Sequence, residues 1–496
     1  MDKNYLLNLS VKGTFRPSGE AATSPADVDA IFTELAQSGR DHLALYFHGG
    51  LVSEQSGLQN AETLLPYLHD QANTHPVFFV WESGFTETAL RNLEKIRNEP
   101  IFKRLLEAVI KFALAKLAQT SDSRGIKLEL PESSQVTASL EEASPLENYD
   151  SLEQRGELSE LSEDEAEQFS DYLANDEVFE EQVLSIAATL GSASDSRSAM
   201  LPPGGSRTAS EETMLSGAVL DQLKADMEES RGIITTTALV KMAASVLART
   251  VLRLMNHTDH GIYCTAVEEL LRELYLDNIG AWLWKGMKDT INDAFVSNDN
   301  LTGEALHGGT YFLDKLRSYL SDHPGLKVSL IGHSAGGIYI CQFLAKAFAM
   351  LPANFVFNHV IMLAPACDFE LFKSSVVDHS NRIRSYRLFT LLDEFEKNDA
   401  IVPVAYPRSL LYFVAGVLEG DKEKPLVGLQ RCYSGVPPYD SPAMRAAQAY
   451  VNQPGAGRIV WAQAQGAPPG YNSMADGHGA FREPVTWESI VYLLQQ

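Results

Sequence analysis

One stretch of the chain combines a nucleophile with the local geometry needed to expose it. Lys327-Val328-Ser329-Leu330-Ile331-Gly332-His333-Ser334-Ala335-Gly336-Gly337 opens as a β-branched apolar run and continues after Ser334 with the apolar spacing of a helix. A serine hydroxyl is a weak nucleophile that must stand clear of the backbone with a base beside it. A very tight strand-to-helix turn presents it that way, provided that the positions two before and two after the serine carry no Cβ. Gly332 and Gly336 satisfy that condition. The helix that follows turns its N-terminal N–H groups and the positive end of its dipole toward the place where an oxyanion would develop. The chemistry implied is attack of the Ser334 hydroxyl on a carbonyl carbon.

This segment resembles the nucleophile elbow of the α/β-hydrolase superfamily, with lipases and esterases nearest in character. The resemblance covers Tyr5 to Glu82 and Gly303 to Gln496 and leaves the stretch between them outside. It implies an α/β fold, a mostly parallel central sheet flanked by helices, and a catalytic triad in the chain order Ser, acid, His. His48-Gly49-Gly50 follows an expected strand and matches the family's oxyanion turn. The resemblance then implies one N–H from Gly50 or Leu51 and another from Ala335, with Gly49 letting the backbone come close to the substrate. His478, in Asp476-Gly477-His478-Gly479-Ala480-Phe481, falls where the family has its general base. His359 and His379 are the other imidazoles downstream of Ser334. For the acid, Asp399-Ala400-Ile401-Val402-Pro403 resembles the family's D-x-x-V-P, and Asp393 is the alternative. Either aspartate is otherwise a loop acid or a helix cap.

The elements that must position these residues are readable from hydrophobic periodicity. Strands are expected at Tyr5 to Phe15, His42 to Phe47, Val77 to Trp81, Lys327 to Ile331, His359 to Leu363, Arg384 to Leu391 and Arg458 to Ala462. Helices are expected at Asp27 to Gln37, Leu58 to Leu68, Leu313 to Leu320, Ala335 to Ala347, Ser409 to Leu418 and Thr486 to Leu494. Residues 1–90 and 301–496 thus read as two parts of one α/β core. Residues 91–300 read as a helical lid joined to a flexible acidic insertion, with short helices near Glu163 to Leu190. Within it, Ile233 to Met255 is apolar apart from Lys241, Ser245, Arg249 and Arg253, spaced four apart on one stripe. That helix is either a buried core helix or a lid at a membrane surface.

The net charge of −25 is concentrated: Glu129 to Glu181 holds 18 acids and one base, so most of the charge belongs to one segment. Nucleic acid is an improbable partner without clustered Lys and Arg. Cys264, Cys341, Cys367 and Cys432 form no CxxC pair and read as reduced core residues of a cytoplasmic protein. No signal-peptide pattern opens the chain, and no apolar run reaches the roughly eighteen residues of a membrane span. No metal-ligand spacing or phosphate-binding loop is present, and no cofactor is expected.

The expected function is therefore that of a serine hydrolase acting on a carboxylic ester or lipid acyl bond. Acyl transfer, thioester or amide cleavage on the same triad is the nearest alternative. An inactive hydrolase-fold binding protein is the alternative from another class. The apolar Ile233 to Met255 helix, with Trp282 and Trp284, is a candidate acyl-binding lid, and that helix is also the candidate for peripheral membrane contact. The acidic segment is a candidate docking site for a basic protein partner.

Overall fold

Strands buried on both faces read as continuous apolar runs, and those of this chain do so because helices cover the sheet on each side. The computed structural model describes the 496-residue chain except residues 17–20, 51–52, 82–85, 120–137, 139, 141–145, 147–157, 196–212, 230–235 and 421. Leu51 and about half of the acidic segment Glu129 to Glu181 lie outside the described residues. The strands are β1 (Leu6–Leu9), β2 (His42–Phe47), β3 (His75–Trp81), β4 (Lys327–His333), β5 (Phe357–Leu363), β6 (Ile383–Leu391) and β7 (Ile459–Ala462). They form one sheet in the order β1-β3-β2-β4-β5-β6-β7, with every neighbouring pair parallel.

The helices are α1 (Pro25–Ser38), α2 (Glu54–Leu65), α3 (Thr86–Asn98), α4 (Pro100–Gln119), α5 (Glu163–Ala174), α6 (Glu177–Asp195), α7 (Gly217–Glu229), α8 (Thr237–Met255) and α9 (Ile262–Leu274). They continue with α10 (Ala281–Asp293), α11 (Gly308–Asp322), α12 (Ala335–Met350), α13 (Phe369–Phe372), α14 (Asp393–Asn398), α15 (Leu410–Phe413), α16 (Pro442–Val451) and α17 (Pro484–Leu494). Successive side chains of a strand point to opposite faces. Tyr46 meets Trp487 of α17, with centroids 6.0 Å apart, and Phe47 stacks on Tyr339 of α12 at 4.8 Å. Helices α12 and α17 therefore lie on opposite faces of the sheet.

Chain order reverses direction between β2 and β4: the connections from β2 lead to one edge and those from β4 to the other. In open parallel sheets the crevice at such a reversal, beyond the carboxyl ends of the strands, is where ligands bind. His48 follows β2 and Ser334 follows β4, so the two motifs singled out above flank this crevice.

The first strand is shorter than its sequence suggests. The chain turns back after β1 at Gly13, whose N–H bonds the Ser10 carbonyl at 2.9 Å, and Phe15 returns antiparallel to Leu9. Ser409 to Leu418 also departs from a plain α-helix: α15 ends at Phe413 and passes into a wider π turn, Val414–Leu418.

Helices α3 to α10 are inserted between β3 and β4. The short helices expected near Glu163 to Leu190 are present as α5 and α6, and they pack against the rest of the insertion. In α5 and α6, Phe169, Leu173, Phe179 and Val183 are buried, and Lys116 of α4 pairs with Glu165 at 2.8 Å. Helix α8 has its apolar face buried, which matches the core-helix alternative rather than the surface lid. Along its stripe Lys241 is exposed, whereas the two arginines are paired with acids of the next helix. Arg249 bonds Glu269 and Glu273 of α9 at 2.8 and 2.7 Å, and Arg253 bonds Glu269 at 3.0 Å. The four cysteines are free and buried. Among the described residues no helix is long and apolar enough to cross a membrane.

Candidate active site

Ser334 sits between the end of β4 and the first residue of α12 with φ 53° and ψ −115°. A non-glycine residue at positive φ is strained and persists only where the surroundings hold it. Three main-chain hydrogen bonds do so here. The Ser334 N–H donates to the Leu363 carbonyl at 2.9 Å, and its own carbonyl accepts from Gly337 at 2.9 Å and Ala366 at 3.0 Å. The two elbow glycines are sterically required. A Cβ at Gly332 would lie 2.6 Å from the Gly336 carbonyl oxygen, and one at Gly336 would lie 2.2 Å from that of Phe47. The residue types read as an elbow thus meet the packing reason for them.

The turn after β2 is organised by its histidine. Nε2 of His48 accepts the Trp81 N–H at 3.2 Å, which leaves the ring proton on Nδ1, and Nδ1–H donates to the Gly49 carbonyl at 2.5 Å. Burial lowers the His48 pKa to about 4, against the contacts to Gly49 and Trp81, which act to raise it. The ring also stacks on Trp81 with centroids 3.8 Å apart. In a planar trans peptide the C=O and the next N–H point in opposite directions. Pinning the Gly49 carbonyl to His48 therefore turns the Gly50 N–H away from that ring. Gly50 adjoins Ala335, since a Cβ at Gly50 would come 2.8 Å from Ala335 Cβ. Among the described residues neither the Gly50 nor the Ala335 N–H has an acceptor. The same hypothetical Cβ would lie 2.5 Å from Met287 Sδ, so α10 packs over this turn.

His478 comes to the same end of the sheet. Nε2 of His333, the residue before Ser334, bonds the His478 carbonyl at 2.9 Å, and the two rings lie 5.0 Å apart. Asp399 is beside it, but its carboxylate accepts the main-chain N–H of His478 at 2.6 Å. Both ring nitrogens of His478 are buried, without a hydrogen-bond partner among the described residues. Burial, with His333 adding to it, holds the His478 pKa well below the usual imidazole range. Neither its burial nor any bonded partner among the described residues favours the charged form of this ring. Asp393 is engaged elsewhere, accepting from Tyr412 at 2.5 Å and pairing with Lys397 at 2.8 Å. His359 lies in the amino-terminal half of β5, where it is paired in register with Ser329, and His379 stacks on Phe348; neither is at this site. Trp284 is buried with its indole N–H on Glu419 at 2.7 Å, whereas Trp282 is exposed.

Sequence reading passed over Glu396. It is fully buried on α14, between Asp393 and Asp399, and neither carboxylate oxygen makes a well-formed hydrogen bond among the described residues. Burial, offset in part by the Ser409 side chain and reinforced by Asp399 and Asp393, pushes its pKa up to about 8. A carboxyl whose folded pKa lies above its unfolded value stabilises the fold most below the unfolded value, and that contribution is lost as pH rises through the folded one. Glu396→Gln is accordingly expected to raise the melting temperature over wild type at pH 8, with the difference gone at pH 5. Thermal melts across that range check it.

Among the described residues no group of His, Cys, Asp and Glu is arranged to hold a metal ion. No protein-family model, curated protein or solved structure matches the chain.

Proposed function

We propose that this protein is a serine hydrolase of α/β-hydrolase type that cleaves a carboxylic ester or lipid acyl bond. The observation that carries the reading is Ser334, held at positive φ at the crevice of a parallel sheet, next to two N–H donors that have no acceptor among the described residues, and directly after His333, whose ring bonds the His478 carbonyl. In the proposed cycle the Ser334 oxygen attacks the carbonyl carbon and His478 accepts its proton. The N–H groups of Gly50 and Ala335 bind the oxyanion. His478 then returns the proton to the leaving oxygen, and water attacks the acyl-enzyme. Asp399 is the proposed acid. Turning the His478 ring toward Ser334 breaks no side-chain hydrogen bond, because both ring nitrogens start without one. Asp399, already seated against the His478 main chain, then stabilises the imidazolium that forms.

Turnover of p-nitrophenyl esters of increasing acyl length by the full chain tests this reading. The expected result is saturable hydrolysis that Ser334→Ala removes. Absence of hydrolysis at every length would contradict it.

A further inference from the structure

The loop that carries Asp399 is gripped from outside the sheet. After Asp399 the chain forms a closed turn, in which the Ile401 N–H bonds the Arg408 carbonyl at 3.1 Å and the Tyr406 N–H bonds the Val402 carbonyl at 2.8 Å. Three residues of the helical insertion hold that turn. The Tyr263 hydroxyl donates to the Val404 carbonyl at 2.5 Å, and Arg408 Nε donates to the His260 carbonyl at 3.3 Å. The Tyr406 hydroxyl donates to the carboxylate of Glu268 on α9.

Glu268 is itself fixed. It is fully buried, its Oε1 lies 2.7 Å from Nδ1 of His260, and its Oε2 lies 2.7 Å from Arg253. Burial opposes its ionisation, yet His260 and Arg253 hold its carboxyl well below the usual range. A buried carboxylate deprived of partners is strongly unfavourable, so α8 and α9 have one well-defined seat against this turn. Glu268 reaches no substrate-facing position of its own; it acts through Tyr406 and the turn.

We propose that the inserted helices are a positioning element for the triad acid: the Glu268–Tyr406 contact sets where the 399–408 turn places the Asp399 carboxylate against His478. The inference rests on the hydrolase reading of the site. It makes the insertion a working part of the active centre as well as a cover.

The test is the rate of inactivation of the full chain by a fluorophosphonate probe, resolved into kinact and KI, for wild type, Tyr406→Phe, Asp399→Asn and the double variant. Tyr406→Phe removes one hydrogen bond and no charge. The expected result is a fall in kinact of about tenfold with KI little changed, and a double variant no slower than Asp399→Asn, as for residues acting through one contact. A residue supporting only the general fold would give multiplied effects. Multiplied effects, or an unchanged kinact in Tyr406→Phe, would overturn the inference while leaving the hydrolase reading standing. A wild-type chain that is not labelled would instead remove the reading beneath it. Tyr263→Phe, which releases the Val404 carbonyl without touching the buried charges, is expected to show the same dependence on Asp399 should Tyr406→Phe fail to fold.

Discussion

Replacing His478 with glutamine is expected to slow acylation of Ser334 by about 10²- to 10⁴-fold, the range usual for loss of a general base. The effect should be nearly pure chemistry. The contacts that seat this segment, from the His478 N–H to Asp399 and from His333 to the His478 carbonyl, are made by the main chain and survive the substitution. Only the unpartnered imidazole is lost. Glutamine preserves much of the buried volume, so the melting temperature should move far less than the rate. Single-turnover kinetics with a p-nitrophenyl ester, read beside a thermal melt, check both halves. Equal rates in the variant and wild type would show that another group takes the serine proton.

His48→Phe is expected to lower the same rate by about 10²- to 10³-fold, the magnitude associated with losing one oxyanion donor. The substitution keeps a flat ring to stack on Trp81 and removes both hydrogen bonds, to the Trp81 N–H and to the Gly49 carbonyl. Released from His48, the Gly49–Gly50 peptide is free to rotate, and the Gly50 N–H loses its fixed direction. His48 touches no reacting atom in this scheme; its whole effect passes through that peptide. A selective loss of kcat with KM nearly unchanged is the expected signature, because a developing oxyanion needs the donor more than a bound ester does. Loss of kcat and KM in parallel would point to a general collapse of the pocket instead.

Much of this arrangement was legible in residue types. The strand His42 to Phe47 could be bounded at both ends because a wholly apolar run stops at charged and glycine-rich neighbours. The elbow was legible for a similar reason, since the glycines flanking Ser334 have no other local purpose, and the steric contacts at both positions supply one. What could not be read was the direction of side chains. Four acids lie within seven residues on and after α14, and three of them, Asp393, Glu396 and Asp399, are alike in sequence yet differ in the structure. Burial and partners separate them into Asp393, tied to Tyr412 and Lys397, Asp399 on the His478 main chain, and Glu396 with no well-formed bond. The sequence left the helix of Arg249 and Arg253 open between a buried core helix and a surface lid, because the acidic partners of the two arginines lie on another helix, beyond the reach of any periodicity. The role of His48 was hidden as well. Its glycines signalled a close backbone approach, but the ring that orients them could be recognised only by what it bonds.

The central claim is that Ser334 is an activated nucleophile. It is tested most directly by treating the full chain with a fluorophosphonate, digesting it and locating the added mass. The expected result is one adduct per chain on the peptide containing Ser334, absent after Ser334→Ala and after prior heat unfolding. An adduct on another residue, or none on a folded chain, would contradict it.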